Sequence, residues 1–317
     1  MFFPFAKIFN IHNCTACTRL VLFLSFVTGS LFYILERQHD IWYTESLTKD
    51  SPQHFHSSPG LVTPILYHEG SMVSALYLTN AKLVQAILPK TMEPLTLPWP
   101  YHKQSMVSIA MSDYRNTTLG AYQQMGLLLH AKKAGSSVYF LGYVCSLLAH
   151  TYHLTFVLPL CDVELGARNA GTYVATSPVT TVTSKAALLE IWNYNAYMAN
   201  IKSNWSDTSL MTFELESEFK YELDSKGGSY LPTFTMASFP LVTLSERDQS
   251  TEVPKQLVAA TVVTGNKVNW GGASKVELMG NGPTVNRMRE LKLDTLSPMA
   301  VFRTDGLVAH WGVGSAL

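Results

Sequence analysis

The sequence predicts an α+β fold, a mostly antiparallel, curved β-sheet or barrel with a few helices. Many short β-leaning runs follow one another after residue 62, and Gly- and Asn-containing turns separate some of them. Only two or three stretches show helical periodicity. The 317 residues are enough for one large domain with an ample core. Lys plus Arg equals Asp plus Glu, at 23 each, so we expect no nucleic-acid partner.

The N-terminal part predicts a membrane attachment. After a short segment at residues 1–19, the apolar run LVLFLSFVTGSLFYIL covers residues 20–35, near the short end for a span of typically about 20 residues. We interpret it as a transmembrane anchor, with a cleaved signal peptide as the alternative. Lys7 and Arg19 precede it and favour a cytosolic N-terminus, which places the main domain in the lumen of the endoplasmic reticulum or another endomembrane.

A polar stretch at residues 36–61, rich in Ser, Pro, His and Gln, is predicted to be a linker to a domain at residues 62–317. Asn116 and Asn204 begin N-x-Ser/Thr sequons in that domain and are the predicted glycosylation sites. The CxxC at 14–17 and the HxxH at 150–153 lack further ligands, so we expect no metal. No cofactor-binding motif is present, and we expect no cofactor.

The first half of the domain is predicted to contain strands and one helix. The helix runs from Asn80, its N-cap, to Ile87, with Leu83, Val84 and Ile87 on one face. Residues 106–111 should be a buried strand, 113–118 a loop and 122–130 the returning strand. The long uncharged run at 138–161 is interpreted as an apolar insertion; a second membrane span and a gene-model error are the alternatives.

The second half is predicted to begin with a Thr/Val-rich strand at 171–182. An amphipathic helix follows from Ser184, its N-cap, to about Trp192, and residues 193–195 should form a turn. Residues 211–221 alternate apolar and charged side chains, which predicts one half-buried strand. Further strands are expected at 234–244, 256–268, 274–278 and 299–309.

Stretches at 81–97, 106–126 and 171–199 resemble the acetoacetate decarboxylase family. In that family a helix ending in Glu-Ile-Trp leads into a Gly-Tyr-Pro-Lys turn, whose lysine is the Schiff-base nucleophile. Here the sequence from Glu190 reads EIWNYNAY, so Ala196 stands where the lysine would be. The family also has a Gly-x-Tyr-x-Glu-x-Gly stretch, which reads GAYQQMG from Gly120 and puts Gln124 in place of the acid.

The resemblance implies a barrel with an internal pocket. The pocket lining that it implies is Tyr122, Gln124, Tyr194, Asn195 and Tyr197. A second family acid falls near Val107 and the family's arginine near Gly70.

Alanine cannot form a Schiff base, so the decarboxylation of the family is not expected, and the catalytic candidates are Gln124 and Tyr194. The first hypothesis is a divergent enzyme of specialised polyketide or terpenoid biosynthesis. It would act as an isomerase, cyclase, dehydratase or lyase on a small lipophilic carbonyl compound. The second is a non-catalytic lipophile-binding or scaffold protein. The third is a genuine decarboxylase that uses another lysine, such as Lys185, Lys202 or the pair at 132–133. Homo-oligomerisation is left open.

Overall fold

The structure is a computed structural model that describes residues 53–54, 61–97, 101–136, 170–206, 210–224, 229–230, 241–246, 254–264, 267–270, 274–311 and 315–316. The predicted anchor at 20–35, almost all of the linker and the apolar insertion at 138–161 lie outside these residues, as do all four cysteines. In the described part of the chain, no helix is both long and apolar enough to cross a membrane.

Strands dominate the described residues, with three α-helices and one 3₁₀ turn. The strands are β1 Gln53–His54, β2 Val62–Thr63, β3 Ile65–Asn80, β4 Met92–Pro94, β5 Gln104–Thr117, β6 Tyr122–Lys133, β7 Ala170–Val179, β8 Ala196–Met198, β9 Ile201–Asn204, β10 Leu210–Leu215, β11 Phe219–Asp224, β12 Ser229–Tyr230, β13 Leu241–Glu246, β14 Pro254–Thr264, β15 Lys267–Trp270, β16 Ser274–Leu278, β17 Ala300–Thr304, β18 Gly306–Trp311 and β19 Ser315–Ala316. The helices are α1 Ala81–Ile87, α2 Val182–Glu190 and α3 Pro283–Glu290, followed by the 3₁₀ turn Leu293–Thr295. The predicted mostly antiparallel sheet with few helices is confirmed.

Seven strands close into a ring. β5 pairs with both β3 and β6, and the pairing continues through β7, β13, β14 and β18 back to β3. Within the ring the β7–β13 pair is parallel and the other pairs are antiparallel. β3 is 16 residues long, so it pairs with β18 near its start and with β17 farther along. Closure leaves these strands without free edges, which makes the ring a stable frame for a site.

The two faces of the ring strands have different surroundings. On the outer face, side chains such as Val73, Ile109 and Leu127 are fully buried in one core with a four-stranded sheet of order β16-β11-β10-β9. The opposite face, which we call the inner face, carries Tyr67 and Tyr122 and packs against α2. Strand alternation therefore decides which side chains can reach a ligand inside the ring.

Helix α1 confirms the predicted cap, because Asn80 Oδ1 accepts the Lys82 N–H at 2.9 Å. For α2 the prediction of Ser184 as N-cap is wrong. Thr181 is the cap, and its Oγ1 accepts the Ser184 N–H at 3.2 Å, so the cap lies three residues earlier and the helix begins at Val182. Ser184 Oγ instead donates to the Thr181 carbonyl at 2.9 Å. The predicted turn after α2 is confirmed, with Asn193 in the left-handed region at φ 52°.

Two predictions about strands need correction. The loop expected at 113–118 is strand as far as Thr117, because the backbone at 113–117 pairs with β3. Residues 211–221 belong to a hairpin of β10 and β11 that turns at Ser217, which has φ 64°. The segments 256–268 and 299–309 each contain two strands. Of the segment predicted at 234–244, only residues 241–244 are described, and they lie in β13. Helix α3 was not predicted, although Pro283 is at its start, where proline is favoured.

Candidate functional site

Ala196 lies on the inner face, at the start of β8. The turn after α2 brings β8 alongside β7 in a parallel pair, with Ala196 opposite Ser177. The Ser177 N–H donates to the Asn195 carbonyl at 2.9 Å and fixes this register. Ala196 is buried, in the same cluster as Tyr122 and Trp192. The position that the resemblance assigns to the lysine thus lies in the buried cluster of the inner face.

Gln124 lies on the other side of Ser177. Its Nε2 donates to Ser177 Oγ at 2.9 Å, and the side chain is 8% exposed. Gln124 and Ala196 therefore lie on either side of Ser177, each next to that residue. The Gln124 Oε1 is buried and has no hydrogen-bond partner among the described residues. Ser112, on β5, is the residue directly opposite Gln124.

Tyr122 belongs to a group of buried phenols near Gln124. Its hydroxyl is 2.9 Å from the Tyr67 hydroxyl, and its ring centroid is 4.9 Å from that of Tyr114. Burial raises the pKa of Tyr122 and of Tyr67 well above the ordinary value of 10.0. Burial also raises the pKa of Tyr114 to about 12. All three phenols are therefore protonated at neutral pH and can donate hydrogen bonds, but they are poor bases.

Tyr194 is placed by aromatic packing at the end of α2. Its ring stacks on Trp192 with centroids 6.0 Å apart and an interplanar angle of 30°. Trp192 in turn contacts Trp311 edge-on at 5.2 Å, and Trp311 lies 5.0 Å from Tyr67. Tyr194 is thus part of the inner-face cluster, and one aromatic chain connects it to the phenols.

Asn195 and Tyr197, the other two predicted pocket residues, are not brought to Gln124. Asn195 is exposed, and its Nδ2 donates to the Ala175 carbonyl at 3.0 Å. The Tyr197 hydroxyl is 3.3 Å from a carboxylate oxygen of Glu218 and 2.8 Å from Thr284 Oγ1. The reason is strand alternation: neighbours of Ala196 on β8 point to the opposite face.

The two positions that the resemblance offered for charged family residues are also informative. Val107 is buried on the outer face, so it does not face Gln124. Gly70 lies against Tyr114, and a Cβ there would be 3.1 Å from Tyr114 Cδ1. The space that an arginine side chain would need next to Gly70 is filled by that ring.

No charged side chain is buried on the described inner face, although Lys132 has the strand parity of Gln124 and is partly exposed. Among residues whose burial is described, Arg303 is the only buried Lys, Arg, Asp or Glu. It pairs with Val73 of the outer-face core, and its Nε donates to Asp305 Oδ1 at 2.8 Å. Lys202 is exposed, and Lys132 Nζ donates to the Ser136 carbonyl at 2.7 Å. Lys185 is partly exposed in the first turns of α2, and Lys133 is exposed.

One polar pair on the inner face was missed from the sequence. His130 Nε2 is 2.9 Å from Ser108 Oγ, and both residues are buried. Burial lowers the pKa of His130 from 6.5 to about 4, so the imidazole is neutral at pH 7. His130 has the same strand parity as Gln124, and that periodicity was the available signal.

Further predicted sites have simple placements. Asn116 and Asn204 are both exposed, and Asn204 Oδ1 accepts the Ser206 N–H at 3.1 Å. Glycosylation at these two residues stays a prediction. In the described ranges, no three His, Cys, Asp or Glu residues come together as a metal site.

Solved structures share this fold. No protein-family model matches the sequence, and no curated protein does. The acetoacetate decarboxylase from Legionella pneumophila subsp. pneumophila str. Philadelphia 1 has a TM-score of 0.53 and 15% identity, covering 84% of this chain and 91% of that one. A second acetoacetate decarboxylase structure has a TM-score of 0.52 and 11% identity, covering 82% and 92%. The enduracididine biosynthesis enzyme MppR, bound to a condensation product of pyruvate, has a TM-score of 0.48 and 9% identity, covering 84% and 97%. The two decarboxylase structures show that the chain has the acetoacetate decarboxylase fold, as its sequence resemblance predicted.

Proposed function

We propose that this chain is an acetoacetate-decarboxylase-like biosynthetic enzyme that acts on a lipophilic carbonyl compound without a Schiff base. The observation that carries the proposal is that Ala196, with only a methyl group, pairs with Ser177, the residue to which the neutral amide of Gln124 donates. Without an amine there is no iminium to accept electrons from a breaking bond. The carbonyl itself must then accept them, stabilised by hydrogen bonds from neutral donors.

The lining of the inner face fits a lipophilic, uncharged substrate. Met72, Leu76, Ala110 and Leu128 are partly exposed there, whereas their strand neighbours on the outer face are fully buried. Polar groups on the same face, such as Gln124, are neutral. An apolar lining with a few placed hydrogen-bonding groups is typical of small-molecule sites. An isomerisation, cyclisation, dehydration or aldol-type step on a polyketide or terpenoid intermediate fits this lining.

A second candidate, a lipophile-binding protein without catalysis, is favoured by one specific observation. The titratable inner-face groups identified above do not titrate near neutral pH: burial raises the pKa of the three phenols and lowers the pKa of His130 to about 4. General acid–base catalysts work best with a pKa near the operating pH. The third hypothesis, a relocated lysine, gains no support, because no described lysine side chain is buried.

Exchange of α-hydrogens tests for catalysis without knowledge of the natural substrate. An enzyme that polarises a carbonyl should catalyse deuterium uptake from D₂O at the α-carbons of 2-heptanone, followed by mass spectrometry. We expect Tyr122→Phe and Gln124→Leu to slow this uptake. Tyr77→Phe, a buried phenol on the outer face, is the matched control and should leave it unchanged. Saturable ketone binding with no uptake above buffer would favour the second candidate.

Borohydride trapping separates the third hypothesis from the first two. Incubation with acetoacetate and sodium borohydride should leave the intact mass of the natural chain unchanged. Ala196→Lys should create one trappable amine, because the new side chain starts at a buried position, where burial lowers a lysine pKa. Ser206→Lys, at an exposed position, is the control. An adduct on the natural chain would instead support a relocated lysine.

The proposal also includes the membrane anchor that the sequence predicts. Residues 20–35 would hold the domain at an endomembrane, on the lumenal side, close to substrates that partition into lipid. Full-length protein should stay in the membrane pellet after carbonate extraction, whereas a chain lacking residues 1–35 should not. Sensitivity of its gel mobility to a peptide N-glycosidase, lost in a variant with Asn116→Gln and Asn204→Gln, would support the lumenal placement.

A further inference from the structure

The amide of Gln124 has one engaged end and one end without a partner. Nε2 donates to Ser177 Oγ, while the buried Oε1 has no hydrogen-bond partner among the described residues. Buried polar atoms are nearly always paired, since an unpaired one loses its hydration without compensation. With the side chain 8% exposed, the most direct account is a ligand atom that pairs with this end.

The surroundings of that end are small and uncharged. Ala196 lies beside Ser177, and Gly126 lies next along β6 on the inner face, opposite Ala110. Both residues are small and uncharged, and a Cβ on Gly126 would lie 3.3 Å from Leu128 Cδ2, so the nearest inner-face neighbour along β6 is an apolar side chain. No charged side chain is buried on the described inner face, so a charged ligand group would find no counter-ion there.

Ser177 allows the amide to be used in either direction. A serine hydroxyl can donate or accept, so a half-turn of the Gln124 amide preserves their hydrogen bond. In one orientation Oε1 accepts a hydrogen bond from a ligand hydroxyl. In the other orientation Oε1 accepts from Ser177, and Nε2 donates to a ligand carbonyl. A carboxylate at this position can only accept hydrogen bonds, so it would bind the hydroxyl and not the carbonyl.

We propose that Gln124 is a specificity-determining residue that binds the carbonyl and the hydroxyl or enol form of one uncharged ligand by turning its amide against Ser177. This rests on the proposed function for the site and names its ligand class. An enzyme that passes a substrate between keto and enol forms needs such a residue, because the polarity of the ligand group inverts during the reaction.

Three probes of similar size test the inference by displacement of Nile red from the full chain. 2-Heptanone offers an acceptor, 2-heptanol offers both functions, and 2-methyl-1-heptene has the shape of the ketone with no strong hydrogen-bonding group. The natural protein should bind the ketone and the alcohol on the order of tenfold more tightly than the alkene. Gln124→Leu should abolish both preferences and leave alkene affinity in place.

Gln124→Glu gives the result that a purely structural role would not produce. At high pH its carboxylate should keep the preference for the alcohol and lose that for the ketone. Burial raises a carboxyl pKa, so the ketone preference should return as the pH falls and the carboxyl becomes a donor. Gln123→Leu is the control, because Gln123 instead contacts Asp113 and Ser203. It should leave all three affinities unchanged.

The outcomes are separable from those of the enzyme proposal. Equal affinity of the natural protein for all three probes, no displacement by the ketone, or a ketone preference that survives Gln124→Leu would each overturn the inference. The same holds if Gln124→Glu treats ketone and alcohol alike at every pH. The expected pattern without α-deuterium uptake would keep the inference and remove the enzyme proposal.

Discussion

The effect of Gly282→Ala on the free energy of unfolding is predicted to change sign when the Glu218 side chain is removed. Gly282 is the N-cap of α3 and has no capping side chain. A Cβ on Gly282 would overlap the carboxylate carbon and both oxygens of Glu218. The carboxylate therefore occupies the helix N-terminus and also accepts a hydrogen bond from the Tyr197 hydroxyl at 3.3 Å.

Gly282→Ala should displace this carboxylate. A negative charge at a helix N-terminus is worth about 0.3–1 kcal/mol, and a hydrogen bond to a charged group about 1.5–3 kcal/mol. Because Glu218 is partly exposed, we take the low end and expect a loss of about 2 kcal/mol in the free energy of unfolding. Glu218→Ala alone should cost a similar amount, because it removes the same interactions.

In the Glu218→Ala background the effect of Gly282→Ala should reverse. The obstructing carboxylate is gone, and φ −71°, ψ 167° suits any residue. Alanine then stabilises by about 0.4–1 kcal/mol, because it restricts the unfolded chain. Urea unfolding followed by tryptophan fluorescence measures all four variants. Gly120→Ala, at φ 86° with open space around it, should cost the same in both backgrounds. Equal destabilisation by Gly282→Ala in both backgrounds would refute the reasoning.

Three further predictions concern pH and packing. The pKa of His130 is lowered to about 4, so its stabilising contribution is present above pH 6.5 and is lost as the pH falls towards 4, by up to about 3 kcal/mol. The urea midpoint should therefore fall between pH 6.5 and 4, and His130→Gln should reduce that fall. Burial raises the pKa of Tyr114 and Tyr197 to about 12, so stability should fall as pH rises above 10, less steeply in the Phe variants. Gly70→Ala should lower stability by about 1–2 kcal/mol, because a Cβ would lie 3.1 Å from Tyr114 Cδ1 and 3.2 Å from the Asp113 carbonyl oxygen. Tyr114→Leu should remove the part of this penalty that comes from the ring, and a cost unchanged by Tyr114→Leu would contradict the packing argument.

The sequence predicted the helices and strands whose formation depends on residues close together in the chain. Asn80 and its helix follow from capping and periodicity, and the returning strand at 122–130 follows from alternation. The hairpin at 211–221 was not predicted, and the strand period explains why. Leu215 and Phe219 are four residues apart, so buried side chains keep the same parity on both sides of the turn at Ser217. A period of two therefore does not reveal the reversal.

The site was predicted only as far as the resemblance could align it. Gln124 and Ala196 are neighbours through Ser177, a pairing that depends on the parallel register of β7 and β8. Such register is set by contacts between distant residues, and a strand of three residues gives no periodic signal. The same register sends Tyr197 away to Glu218. Ring closure likewise depends on pairs such as β18 with β3, which are far apart in sequence.

Two of the differences from the family pattern, Ala196 and Gln124, are expected to be electrostatically coupled. A buried carboxylate beside a lysine is tolerable because each charge compensates the other. Once position 196 is alanine, an acid at position 124 would be a buried charge with no partner, since no cation is buried on the described inner face. Gln124 keeps the shape and the hydrogen bond to Ser177 and removes that cost. Ala196→Lys alone should therefore be less stable than Ala196→Lys combined with Gln124→Glu, measured by urea unfolding at pH 7. If the combined variant were less stable than Ala196→Lys alone, the two positions would not be electrostatically coupled, and the presence of both Ala196 and Gln124 would need another explanation.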